Sequence, residues 1–195
     1  MKWTKLFSAS VSALLAGIAA CTTTTPTNPS PAPGAPAVQP DGADLFEPAT
    51  FSKWPKASEQ PIRVSPEEAF LCAPISGGGN FPQAKHGPHA SHSIVVRVSP
   101  EAMGAFRAGK AMPAGAVVVK EKYPDERAVG PPKEYGLMIK REAGYDPGNG
   151  DWEYAYVTSG AERKVIRGKL AQCSTCHANV KDSDYLFRSY AGYGK

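Results

Sequence analysis

The feature that most restricts this chain is the run Gln172-Cys173-Ser174-Thr175-Cys176-His177, set close to its C-terminal end. Two thiols two residues apart can add across the two vinyl groups of one haem. The adjacent histidine then lies under the iron as its axial ligand. A bare cysteine pair at this spacing could also be a redox dithiol or half of a zinc site. The lack of a second such pair, the histidine directly after the first and an export signal described below all favour haem. The expectation is one covalent haem c held by Cys173, Cys176 and His177, with His177 as the iron ligand. The position of the motif also bears on the fold. In small electron-carrying c-type cytochromes it opens the domain, whereas here only Ala178 to Lys195 follow it. The common all-helical arrangement is therefore not expected.

The N-terminus indicates the compartment. Lys2 and Lys5 precede a short apolar run ending at Ala20, the pattern of a secretory signal peptide and too short for a transmembrane span. The run closes Ile18-Ala19-Ala20-Cys21, which resembles a bacterial lipoprotein processing site, with small residues before the cut and a thiol to carry the lipid. Ordinary secretion with a stray cysteine is the alternative. Thr22 after Cys21, where Asp would mark retention, points by resemblance to sorting patterns to the outer membrane over the inner. From Thr22 to about Pro40 the chain is nearly all Thr, Pro, Ala, Ser and Asn, with too little apolar area to repay its ordering. The expected organisation is a signal peptide over 1–20, a lipidated Cys21 and tether over 21–45, and one folded haem domain over 46–195. The domain would sit on the periplasmic side of a bacterial membrane, and its length suffices for one core. Cys72 is left over, in the apolar patch Ala69-Phe70-Leu71-Cys72-Ala73, and is expected to be buried and inert, with a reactive thiol as the alternative. The chain has 22 basic and 18 acidic residues, a net +4; loss of Lys2 and Lys5 leaves 20 against 18, or +2. The basic residues are scattered without interleaved aromatics, which argues against a nucleic-acid partner.

Between tether and motif the pattern is mixed. Ser65-Pro66-Glu67-Glu68 combines a capping box with proline at the first helical position and predicts a short helix, stopped by Pro74 and Gly77-Gly78-Gly79. The irregular stretch from Pro82 holds His86, His89 and His92. A surface loop or structural histidine is the simplest reading; contact with haem or its propionates, or a separate metal site, stays open. Strands are predicted over Ser93–Val98, Ala116–Tyr123, Tyr135–Arg141 and Trp152–Thr158, and a helix from Ser99-Pro100-Glu101 to about Gly109. The unbroken Val117-Val118-Val119 suggests a strand covered on both faces near its start. Trp152, Tyr154, Tyr156 and Thr158 share one strand face; they fit equally half of a sheet core and a wall against a large flat cofactor. Hairpin-like connections favour antiparallel pairing. The expected fold class is α+β, an antiparallel β-sheet domain with short flanking helices and a C-terminal haem motif.

The valine-rich strand ending Val119-Lys120-Glu121, the turn Gly144-Tyr145-Asp146-Pro147-Gly148-Asn149-Gly150-Asp151-Trp152 between two strands, and the late Cys173-Ser174-Thr175-Cys176-His177 together resemble the cytochrome P-460 family, which includes the cytochromes c-prime-beta. The resemblance runs from about His86 to Tyr190. It implies an antiparallel α+β subunit, usually a homodimer, with a five-coordinate c-type haem open on its distal side. In enzymatic members a lysine is also bonded to the porphyrin edge, which ruffles the ring and helps hydroxylamine oxidation; Lys120 stands at the matching place. Non-enzymatic relatives have an apolar distal pocket and bind nitric oxide or other small gases. On residue grounds alone, Lys120 shares a strand face with Val118 and Lys122, and a snorkelling side chain is the plain alternative.

Several further residues bear on the distal side. Substrate oxidation needs a proton acceptor, and Asp125, Glu126 and Glu134 are candidates by type, although a solvated charged loop is the favoured account of them and none is matched to the family's catalytic carboxylate. Met103, Met112 and Met138 are possible sixth ligands by type; Met103 and Met138 fit helix and strand core, and Met112 is the least constrained. Arg163, Arg167 and Lys169 either pair with propionates or form an exposed helix face. Two main function classes remain. One is a redox enzyme acting on hydroxylamine or a related small nitrogen species, served by a redox partner protein. The other is a gas-binding or electron-shuttling cytochrome. A structural lipoprotein with an incidental haem is the least economical reading.

Overall fold

Strand-forming residues rich in Val, Ile and aromatics dominate the centre of the chain, and they build one sheet. A computed structural model describes residues 43–64, 92–158 and 163–193. Six strands follow in chain order: β1 (Ile62–Arg63), β2 (Ser93–Val98), β3 (Val117–Tyr123), β4 (Glu134–Lys140), β5 (Trp152–Thr158) and β6 (Val165–Gly168). Each pairs antiparallel with its neighbour in sequence. Short helices flank the sheet: α1 (Pro48–Phe51), α2 (Met103–Arg107) and α3 (Ala171–His177), with 3-10 turns at Ala43–Phe46, Pro100–Ala102, Pro147–Asn149, Ala178–Ser183 and Arg188–Ala191. The fold is thus mixed α+β on an antiparallel sheet.

Register decides what faces what. It aligns Val98, Val118, Met138, Tyr154 and Gly168 in one row, and Val96, Lys120, Gly136, Tyr156 and Ile166 in the next row along the same face. The first row packs under Met103, Phe106, Met112 and Leu186. The opposite face carries Val117, Val119, Leu137, Ile139, Ala155 and Val157 beneath Leu45, Phe46 and Phe51. The valine run therefore is covered on both sides, and each such side chain contributes roughly 1.5–3 kcal/mol of burial. The second face also buries charge. Arg97 Nε donates to Glu121 at 2.7 Å, and Glu153 accepts from both Arg141 and Arg167.

The structure departs from the sequence-based expectation in instructive places. The helix expected to reach Gly109 is a 3-10 turn leading into the five-residue α2, and Gly109 at φ +68 ends it. The third expected strand lies one residue earlier, at Glu134–Lys140. Two strands carry no clear local signal, β1 and β6. Arg163 precedes β6 and Arg167 lies within it, so the four-residue spacing that suits a helix face is overridden by pairing with β5. The helix expected at Ser65, together with Cys21, Cys72, His86 and His89, falls outside the described residues. Among those described, no helix is long and apolar enough to cross a membrane.

Candidate functional site

Helical period brings Cys173, Cys176 and His177 onto one side of α3, because positions three and four apart are neighbours on a helix. That side closes over the Val96–Lys120–Gly136–Tyr156 row and leaves a cavity of about 380 Å3. Its walls are Cys173, Cys176 and His177 from α3; Val118, Lys120, Met138, Tyr154 and Tyr156 from the sheet; and Phe106, Leu186, Phe187 and Tyr190 around the rim, with Ile62 and Arg63 at β1. The space falls in the range of roughly 300–1,000 Å3 typical of cofactor and ligand pockets.

His177 is oriented by its neighbours. Its Nδ1 lies 2.6 Å from the carbonyl of Tyr185. A carbonyl only accepts, so Nδ1 carries the proton and Nε2 keeps its lone pair. The ring is flanked by Tyr154 at 5.3 Å and Phe187 at 5.1 Å between centroids. Burial pushes the imidazole pKa down to about 4, against the effect of the Tyr185 carbonyl and helped by the charge of Lys120. His177 is therefore neutral across the physiological range, the form that binds a metal.

The two cysteines are not joined in a disulfide, and each is partly buried. Burial pushes the Cys173 thiol up to about 11, even though Lys120 acts in the opposite direction. A redox-active dithiol lowers the pKa of its nucleophilic thiol, and burial moves Cys173 the other way. Among the described residues no three His, Cys, Asp or Glu side chains gather into a closed metal set.

Lys120 projects from the centre of the sheet into the cavity wall. Its cross-strand neighbour is Gly136, and a Cβ on that glycine would lie 3.6 Å from Lys120 Cε. That distance is ordinary contact, so the lysine stem lies against the β4 backbone at Gly136. The electrostatic influence of Lys120 on both Cys173 and His177 puts its charge near these two side chains. Tyr154 is 3% exposed and its hydroxyl has no hydrogen-bond partner among the described residues. A buried hydroxyl of this kind on a cavity wall leaves a polar group for a further partner to satisfy.

The remaining candidates separate. Glu126 is exposed and pairs with Arg63 at 3.3 Å. Glu134 lies on the cavity face of β4 but is engaged with Lys122 at 2.5 Å and with the Tyr156 hydroxyl. Asp125 accepts backbone N–H bonds from Arg127 and Val129 in its own loop. Met103, Met112 and Met138 all enter the same buried cluster, and Met138 alone of the three lines the cavity. Arg163 pairs with Glu47, and Arg167 Nε donates to Glu153 at 2.6 Å; both are committed to the opposite face. Lys169 stands over the Tyr145 ring. His92 is exposed beside the β1–β2 edge, where its carbonyl accepts from the Val64 N–H. Of the aromatic stripe, Tyr154 and Tyr156 line the cavity while Trp152 is core; it is both wall and core.

Sequence reasoning passes over Gly136, Phe187 and the Tyr185 carbonyl. A main-chain acceptor leaves no trace in residue type, and a glycine inside a strand is the only local hint of a close approach.

Residues 79–188, more than half of the chain, match the family model described as Cytochrome P460. Comparison with curated proteins gives no match. The chain belongs to the cytochrome P460 family, and this membership supports a redox, cytochrome-type function and haem binding in general.

Proposed function

We propose that this chain is an exported mono-haem c-type cytochrome with an open distal iron site, acting in redox chemistry on hydroxylamine or a related small nitrogen species. The observation that carries the reading is the convergence of Cys173, Cys176, His177 and Lys120 on one largely apolar cavity. The residues fit the group. Cys173 and Cys176 would hold it through thioethers, neutral His177 would offer Nε2 to the iron, and Lys120 would bond the porphyrin edge. The orphan Tyr154 hydroxyl is consistent with a cavity meant to be filled. When bound, haem c supplies a one-electron redox centre with a position for a small ligand. The chain's part is to orient His177 through the Tyr185 carbonyl, to exclude water with Val96, Val118, Met138 and Phe106, and to bring the Lys120 charge close by.

Peptide mapping of the purified holoprotein tests this directly. A peptide containing Lys120 that stays joined to the one containing Cys173 and Cys176, together with reduction of the haem by hydroxylamine, is the expected result. Separate peptides and no reduction would remove the enzymatic reading.

A second reading is favoured by one observation. Among the described residues the cavity lining includes no carboxylate, since Glu126 and Glu134 are paired elsewhere. An apolar pocket without a proton acceptor suits nitric oxide or small-gas binding, or electron transfer. Haem that binds nitric oxide but is inert to hydroxylamine would select it, and a six-coordinate spectrum in both oxidation states would sink both open-site readings. The Ile18-Ala19-Ala20-Cys21 run supports a lipid anchor on Cys21 on the periplasmic side of a bacterial membrane, the outer membrane favoured by Thr22. Replacing Cys21 with Ser should then release the protein from the membrane fraction. A homodimer and a redox partner protein complete the proposal.

A further inference from the structure

The carbonyl that orients His177 is presented by an uncommon backbone. Asp184 (φ 52, ψ 42) and Tyr185 (φ 62) are consecutive left-handed residues, and neither is glycine. Such a conformation is unfavourable for any residue with a Cβ and persists only where the surroundings hold it. Here they hold it through Asp184. Lys140 Nζ, at the end of β4, donates to its Oδ1 at 2.6 Å. The Met112 backbone N–H donates to its Oδ2 at 2.7 Å. Trp152 Nε1, at the start of β5, donates to its carbonyl at 2.9 Å. Lys140 Nζ also stands 4.8 Å over the Trp152 ring, which links two of these ties to each other. The Lys140–Asp184 ion pair is only partly screened by water, with both side chains about one-seventh exposed.

We propose that Asp184 is a positioning residue for the axial histidine. By tying the left-handed turn to β4, β5 and the loop before β3, it fixes the Tyr185 carbonyl against His177 Nδ1 and so sets how strongly the imidazole donates to iron. This rests on the haem reading above. A short, fixed Nδ1–H···O=C bond makes the ring more electron-rich, strengthens Nε2 as a donor and favours the oxidised iron. A turn that is free to relax lets this bond lengthen. The sheet would then tune the metal through a residue that touches neither the haem nor His177.

The test is resonance Raman of the ferrous holoprotein for the iron–histidine stretch, with the reduction potential measured beside it. Three variants separate the contributions. Asp184→Gly keeps the left-handed backbone without strain but loses both carboxylate bonds. Asp184→Asn keeps an acceptor for the Met112 N–H. Lys140→Met leaves residue 184 intact and carries the test if the Asp184 variants do not accumulate. The expected result is a lower stretching frequency and a higher potential in all three, largest for Asp184→Gly. A purely structural role would lower the thermal midpoint and leave frequency and potential at wild-type values, which overturns the proposal. Wild-type protein without covalent haem would overturn the haem reading and this one with it; haem at full stoichiometry with unaltered spectra overturns this one alone.

Discussion

At the scale of single residues, the site rests on backbone positions as well as on its chemical groups. Gly136 faces the Lys120 stem across the strand pair. Replacing Lys120 with Met should leave attachment through Cys173 and Cys176 intact while abolishing any joined peptide that includes position 120; mass mapping reads both at once. Gly150 has φ +66, and a Cβ there would meet the Tyr185 ring at 2.5 Å. The Tyr185 hydroxyl in turn donates to the Gly148 carbonyl at 3.2 Å. Gly150→Ala therefore combines a left-handed residue with a hard contact and should destabilise by about 2–3 kcal/mol in urea unfolding. Cys173, Cys176 and His177 were legible as a unit because their chemistry is written in residue type and spacing. Tyr185 was not, because its contribution is a main-chain oxygen.

At the scale of elements, the sheet carries two different interiors. One face meets α2 and α3 and contains the cavity. The other is sealed by the 3-10 turn at Ala43–Phe46 and by α1, and it buries Glu153 between Arg141 and Arg167. Removing the shared acid takes from Arg141 and Arg167 the buried carboxylate to which both donate. Glu153→Ala should cost about 3 kcal/mol by chemical denaturation. The exposed Arg63–Glu126 pair offers the contrast, and Glu126→Ala should cost less than about 1 kcal/mol. Equal losses in the two variants would contradict this division. The four longer strands were readable from β-branched and aromatic runs. β6 was not, because Val165-Ile166-Arg167-Gly168 is too short and too mixed to declare itself, and pairing with Tyr154–Val157 makes it a strand.

At the scale of the molecule, packing around the sheet leaves a signature in alkali. Burial raises the phenol of Tyr123 from an ordinary value near 10 to about 12, with Glu121 acting in the same sense. Burial also raises Tyr135, Tyr145, Tyr154 and Tyr156. A phenol with a raised folded pKa stays protonated in the native state when the unfolded chain has already released its proton. Its contribution is complete below about pH 10 and is lost as pH rises toward about 12. Lys122 runs the other way, since burial lowers its pKa and the unfolded state holds the extra proton below 10.5. Five phenols outweigh one amine, so urea midpoints should fall between about pH 10 and about pH 12, with phenolate absorbance appearing together with unfolding. A flat midpoint over that range would show that the tyrosines are not held as described. The sequence by itself determined the α+β class, the close spacing of Cys173, Cys176 and His177, and the alternation that puts Lys120 with Val118, and Tyr154 with Tyr156, on one side of their own strands, since these follow from residue type and from the two-residue period of a strand. Only the tertiary structure decided that α3 closes over that side to form a cavity, that Glu126 and Glu134 are spent on Arg63 and Lys122, and that Asp184 ties the histidine's partner to the sheet. Each of these depends on contacts between segments far apart in the chain, which no local pattern encodes.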